Sequence, residues 1–213
     1  GLPPTVANAT NRIAVLSGGI GASETFRRSG LVPVAWLRLA APPALIGAVF
    51  GTGAVLMVGD LAFQRILSVV LVLAAGWVFW NPIRPPDEGG HFPPTGAASW
   101  TSRAGFFLVG VYGGFIQAGV GFIVLTITSA NGLDLIRGNA IKAPLVFLFT
   151  LVTVVLFTYS GMINWGMGLV LAAGQVLGAT LGVRLQILKG QEWVRHVLTL
   201  IILACAVRLM VMG

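Results

Sequence analysis

Apolar stretches of about twenty residues follow one another along almost the whole of this chain, and a helix of that length and character suits the hydrocarbon layer of a bilayer. They run from Ala9 to Phe26, Val34 to Met57, Leu61 to Trp80, Asn139 to Tyr159, Ile163 to Leu188 and Trp193 to Met212. A seventh, from Ala104 to Ser129, is laden with glycine. Composition points the same way. Of 213 residues 56% are hydrophobic and 9% charged, with mean hydropathy +0.93, against roughly 25% charged in soluble domains. The 13 basic and 6 acidic residues could not coat so large an apolar mass for water. The expectation is an all-α, polytopic helical membrane protein whose solvent is the lipid bilayer.

The net charge of +7 does not indicate nucleic acid, because the basic residues stand singly or in pairs between apolar blocks. Anchoring at the inner leaflet explains them better. Cys205 is the single cysteine and lies in an apolar run, which excludes a disulfide framework or a cysteine metal site. His91 and His196 have no carboxylate at ligand spacing, so no metal and no cofactor is expected. Glu24 could relay a proton, but its spacing from Arg27 and Arg28 suits an interfacial ion pair. No nucleophile with its base can be picked out, and an enzyme is not expected.

The longest polar stretch, Asn81 to Arg103, carries five prolines and divides the chain. Sliding the chain on itself by 131 positions aligns 1–82 with 132–213 without a gap, at about 15 identities. Gly1-Leu2 meets Gly132-Leu133, Asn8-Ala9 meets Asn139-Ala140, Ser29-Gly30 meets Ser160-Gly161, and Gly47, Gly51 and Gly59 meet Gly178, Gly182 and Gly190. The matches cluster at small and polar residues, which mark helix boundaries and close helix contacts. Residues 1–82 read as a first repeat, 83–103 as a linker and 104–213 as a second repeat. In the second repeat a glycine-rich segment precedes the aligned part; roughly 25 to 35 residues holding its counterpart are expected to be missing ahead of Gly1.

Charge constrains the topology. If Ala104 to Ser129 crosses once, Arg27, Arg28, Arg84 and Arg103 fall opposite Arg137, Lys142, Lys189 and Arg195. If it enters and leaves on one side as a re-entrant hairpin, all eight share a side and Asp60 lies on the other. The second choice gives each repeat a glycine-rich broken segment plus three spans, and makes the repeats inverted. Twenty-six residues could also span with tilt, so both stay open.

The candidate chemistry sits in G-V-Y-G-G-F-I-Q-A-G-V-G-F, with Gly113, Gly114, Gln117, Gly119 and Gly121. So many glycines argue for a broken helix, whose freed amides can hold an anion, or for tight helix packing of the kind Gly110 to Gly114 allows. Asn8 and Asn139 precede apolar runs, where they could cap exposed amides. Lys142 follows the second, and Thr10, Asn11 and Arg12 follow the first. A helix N-terminus beside a basic side chain suits a negative solute, although capping with snorkelling Lys142 and Arg12 would look alike. Pro42 and Pro43 predict a kink in the second span.

These motifs resemble those of the TauE/SafE membrane transporters, the sulfite exporter family. The glycine-rich segment followed by G-L-D-L-I-R-G-N-A-I-K is similar to that family's second-half signature, and G-L-P-P-T-V-A-N-A-T-N-R to the first. The resemblance covers essentially the whole chain. It implies multi-pass residence in the bacterial cytoplasmic (inner) membrane and secondary transport of small anions such as sulfite, thiosulfate or organosulfonates like sulfoacetate, by alternating access. By motif position the substrate-binding set is Asn8, Thr10, Asn11, Gly113, Gly114, Gln117, Gly119, Gly121, Asn139 and Lys142. Gln117 departs from the small residue seen in many relatives. A homo-oligomer and a coupling ion such as a proton stay open. The rival is a non-transporting membrane scaffold or subunit of a larger complex, its glycines serving packing alone.

Overall fold

The computed structural model describes residues 1–80 and 93–178, with the backbone alone at residues 71–80 and at Ala97. Every regular element among them is helical: α1 Pro4–Arg28, α2 Val34–Met57, α3 Asp60–Trp80, α4 Gly96–Phe115, α5 Val120–Ala130, α6 Leu135–Tyr159 and α7 Trp165–Gly178. The expected span from Trp193 to Met212, the end of that from Ile163 to Leu188, and His91, Cys205 and His196 lie outside the described residues. Helices α2 and α6 are long and apolar enough to cross a bilayer. α2 stays helical through Pro42 and Pro43, and α6 through Pro144.

The 131-residue offset that aligns the sequence also relates the elements. α1 and α6 begin and end at positions that differ by it, as do the starts of α2 and α7. The turns after α1 and α6 close on Gly30 and Gly161, with φ +68° and +67°, a left-handed conformation that glycine adopts without a Cβ penalty. α1 and α6 run antiparallel: Gly19 packs against Phe147, and the Arg12 guanidinium lies 6.0 Å from the Phe157 ring centre.

α2 and α4 run parallel in backbone contact. A Cβ placed on Gly47, Gly51, Gly110 or Gly114 would fall against the carbonyl oxygen of Phe107, Val111, Ala44 or Ala48 respectively. The packing role weighed for Gly110 and Gly114 is therefore seen at both residues. Around the seam Trp36, Ala40, Phe106, Val109, Leu145 and Phe149 form one buried cluster. α4 begins two turns before the apolar run expected to open at Ala104.

The glycine-rich segment is broken. α4 stops at Phe115, α5 starts at Val120, and α5 folds back along α4, so that Ser102 Oγ lies 3.3 Å from Asn131 Oδ1 and Gly105 meets Ile127. α6 then turns back along α5, with Gly138 against Leu125 and Thr128. These directions gather Arg27, Arg28, Arg38, Arg103 and Arg137 at one end of the bundle. Asp60 and Gly161 lie at the other, with Arg65 as an exception one turn into α3.

At that far end Asp60 Oδ1 accepts hydrogen bonds from the Thr5 hydroxyl (2.7 Å) and the Thr5 amide (3.1 Å), the latter an otherwise open donor at the start of α1. The hydroxyl bond, then the amide bond, hold the carboxyl below its ordinary value of 3.8. A depressed native pKa contributes stability that is complete above the unfolded value and is lost as pH falls through the native one. The gap in thermal midpoint between the wild type and Asp60→Asn should therefore stay constant from pH 7 to about pH 5 and close below about pH 4. A gap that stays level down to pH 3 would remove this role for Asp60.

Candidate functional site

A helix break inside a membrane protein frees peptide groups on both sides of it: carbonyls at the end of the first helix and amides at the start of the second. Here the two sides are treated in opposite ways.

The carbonyl side is satisfied from within. Tyr112 O accepts the amides of Ile116 and Gln117, a tight C-terminal cap. Arg12 reaches across from α1, its Nη1 donating to Gly113 O and to Gln117 Oε1 and its Nη2 to Gly114 O at 3.1 Å. Asn8 Nδ2 donates to Phe115 O at 3.0 Å, and the Thr52 hydroxyl stands 3.5 Å from Gly114 O. The Arg12 side chain is 1% exposed, and none of its hydrogen bonds goes to a carboxylate. Its charge is partly offset by the negative end of the α4 dipole.

Gln117 is the one non-glycine residue with positive φ, +72°, among those described. It occupies the position just past α4 that usually takes glycine. Its side chain is tied at both ends, Oε1 to Arg12 and Nε2 to Thr150 Oγ1 at 2.7 Å, and this holds the unfavourable backbone conformation in place. Gln117 at this position thus has a physical account: its side chain supplies an acceptor for the buried guanidinium.

The amide side is open. Val120 N and Phe122 N bond back to Gln117 O and Gly119 O, while the amides of Ala118, Gly119 and Gly121 have no acceptor among the described residues. Gly119, with φ +72°, is the exposed N-cap of α5 and gives no side-chain cap. The Lys142 side chain crosses Gly121 so closely that a Cβ there would lie 2.9 Å from Lys142 Cδ. Lys142 Nζ donates to Asn139 Oδ1 at 2.6 Å, and Asn139 Nδ2 donates to Leu135 O at 2.8 Å. The positive end of α5 and an ammonium thus lie together, with neutral Asn139 the partner in the ammonium's hydrogen bond. Such an arrangement repels itself and draws an anion.

The structure brings Gly119, Gly121, Asn139 and Lys142 together at the amide side, and Asn8, Gly113, Gly114 and Gln117 at the carbonyl side. Gly113 leaves room for the Phe149 ring, 2.9 Å from where its Cβ would stand. Thr10 is buried elsewhere, its hydroxyl accepting the Asn164 amide ahead of α7 at 3.1 Å. Asn11 is exposed, with no side-chain hydrogen bond among the described residues. Neither Asn8 nor Asn139 caps a helix N-terminus as expected; both sit inside helices and donate to carbonyls, and α6 is capped by Asp134, which accepts the Arg137 amide at 2.9 Å. Glu24 pairs with Arg27 and Arg28 at 2.7 and 2.6 Å, as its spacing indicated. Sequence reasoning missed Arg12 as an internal donor, although a charge inside an apolar stretch is itself a signal. It missed Thr150 because a threonine in a span carries no signal of its own.

Residues 1–209 match the family model described as Sulfite exporter TauE/SafE. The chain is similar to a "Probable membrane transporter protein" of Haemophilus influenzae, 28% identical over 204 residues that cover 92% of this chain and 76% of the relative. It is 28% identical over 202 residues to the "Probable membrane transporter protein YfcA" of Escherichia coli K12, covering 94% of this chain and 74% of that one. It is also 28% identical over 214 residues to the "Probable membrane transporter protein ORF9" of a Sinorhizobium species, covering 99% and 80%. No solved structure matches.

Proposed function

The chain belongs to the TauE/SafE sulfite exporter family, and from that membership we propose that it is a secondary transporter of small anions, sulfur oxyanions or organosulfonates of the sulfite, thiosulfate or sulfoacetate type. It sits as a multi-pass protein in the cytoplasmic (inner) membrane, with the arginine-rich end of the bundle inside. α4 and α5 form a re-entrant hairpin that enters from that side. The repeats are inverted, a reading supported by the shared 131-residue offset of helix bounds and by the antiparallel run of α1 and α6. Access alternates between the two faces, and a proton gradient is the coupling source to vary first.

One observation carries the anion reading: the open amides of Ala118, Gly119 and Gly121 lie at a helix N-terminus crossed by Lys142. These amides and the ammonium bind the solute, and Asn139 orients Lys142. Asn8, Gly113, Gly114 and Gln117 keep the break in shape rather than touching the solute.

The test is uptake of sulfite and thiosulfate into vesicles carrying the full-length protein, with folding verified. A charge-assisted hydrogen bond is worth about 1.5–3 kcal/mol, so Lys142→Ala should weaken apparent anion affinity about ten- to hundredfold. Lys142→Arg should retain part of it. Equal uptake by the wild type and Lys142→Ala would discard the site.

A further inference from the structure

At the arginine-rich end a groove of about 820 Å³ opens between the last turns of α1, the start of α2 and the third and fourth turns of α6. That volume exceeds what a bound ion needs and falls in the range of organic ligands. Its wall is apolar, with Ile20, Val34, Leu37, Pro144 and Phe147 among its residues. Its polar part is concentrated in one stretch of α1, from Ser23 to Arg28.

The charge of that stretch points to an occupant. Glu24 joins Arg27 and Arg28, three side chains carrying a net charge of +1. Both guanidiniums stay about three-quarters exposed and keep nitrogens that do not bond to Glu24. An apolar trough with a cationic lip matches a molecule with a hydrocarbon tail and a phosphodiester head.

We propose that this groove is a binding site for an anionic phospholipid of the cytoplasmic leaflet, its acyl chain along Ile20, Val34 and Pro144 and its phosphate against Arg27 and Arg28. The leaflet rests on the topology proposed above; the binding does not. Its cationic lip is on α1, apart in sequence from α5 and Lys142, although Pro144 of its wall follows Lys142 by two residues on α6; lipid binding needs no transported solute.

Full-length protein stripped of lipid in detergent would be titrated with phosphatidylglycerol, and with phosphatidylcholine of the same chains, by native mass spectrometry. Each arginine near an anionic lipid contributes about fivefold in affinity. Arg27→Gln with Arg28→Gln should therefore lower phosphatidylglycerol binding about twentyfold and leave phosphatidylcholine binding unchanged. Val34→Trp, which narrows the trough while keeping the arginines, should also lower phosphatidylglycerol binding. Equal binding of the two lipids by the wild type, full retention by the double variant, or equally strong binding of soluble glycerol phosphate would each overturn the assignment. So would a change of oligomeric mass in the double variant with lipid binding intact, since a second copy would then be the occupant. Anion uptake that fails while selective lipid binding persists would count against the transport reading alone.

Discussion

Gly51→Ala is expected to lose most of the folded protein, while Gly53→Ala, two residues along the same helix, is expected to gain about 0.5–1 kcal/mol of stability. The difference lies in what a single methyl group meets. At Gly53 nothing stands within 4 Å, so alanine brings only its better helix propensity. At Gly51 the methyl would overlap the Val111 carbonyl, a backbone atom that can yield only if α4 moves as a whole. Separating α2 from α4 also opens the contacts at Gly47, Gly110 and Gly114 and loosens the cluster around Trp36 and Phe149. Overpacking typically costs about 1–3 kcal/mol, and more where the neighbour is rigid; several kcal/mol is a large part of any protein's stability. The yield of monodisperse protein from membranes and its thermal midpoint are the measurements. Similar values for the two variants would mean that the α2–α4 approach is not a constraint.

The seam would also restrict the alternating access proposed above. α2 lies before the proline-rich stretch and α4 after it, so the halves of the sequence are not separable bodies. A movement that keeps the seam carries α2 and α4 together and falls elsewhere, at contacts made by side chains rather than backbone.

Much of this was legible in the sequence because it follows from residue type alone. The apolar stretches form helices, two of which, α2 and α6, are long and apolar enough to cross a bilayer, five glycines in a short stretch give a break, and Glu24 with Arg27 and Arg28 at helical spacing gives an ion pair. The alignment of Ser29-Gly30 with Ser160-Gly161 marked two turns that close with nearly the same φ. What escaped depends on which helix lies opposite. The pair Asn8 and Asn139 looked like two equivalent caps, yet one serves a carbonyl more than a hundred positions away and the other a lysine one turn ahead. Gln117 looked free for a solute because nothing in its neighbourhood in the chain reveals Arg12 and Thr150 on either side of it. Arg12 itself looked like a snorkelling side chain, since neighbours in sequence cannot show that its guanidinium points inward.

Arg12→Met should be the most damaging substitution of a polar residue. Methionine fills similar space but leaves Gly113 O, Gly114 O and Gln117 Oε1 to lose the donors they share. A buried acceptor left without a partner costs about 1–3 kcal/mol. Gln117 would then hold positive φ with one tie in place of two, and α5 would lose the fixed start that orients its open amides. Arg12→Lys keeps the charge but presents its donors from one nitrogen, which cannot span two carbonyls and a side-chain amide as a fork does; an intermediate loss is expected. Gln117→Gly separates the two demands on that residue, because glycine accepts φ +72° freely but gives Arg12 nothing to bind. If the tie to Arg12 matters, Arg12→Met and Gln117→Gly together should be less damaging than the sum of each alone, by about 1 kcal/mol or more in thermal stability. Anion uptake by Gln117→Gly should fall through a lower maximal rate with its half-saturation concentration little changed, since the residue shapes the break without touching the solute. Strict additivity of the two substitutions, with wild-type uptake in Gln117→Gly, would show that the carbonyl side of the break is held by something other than this pair.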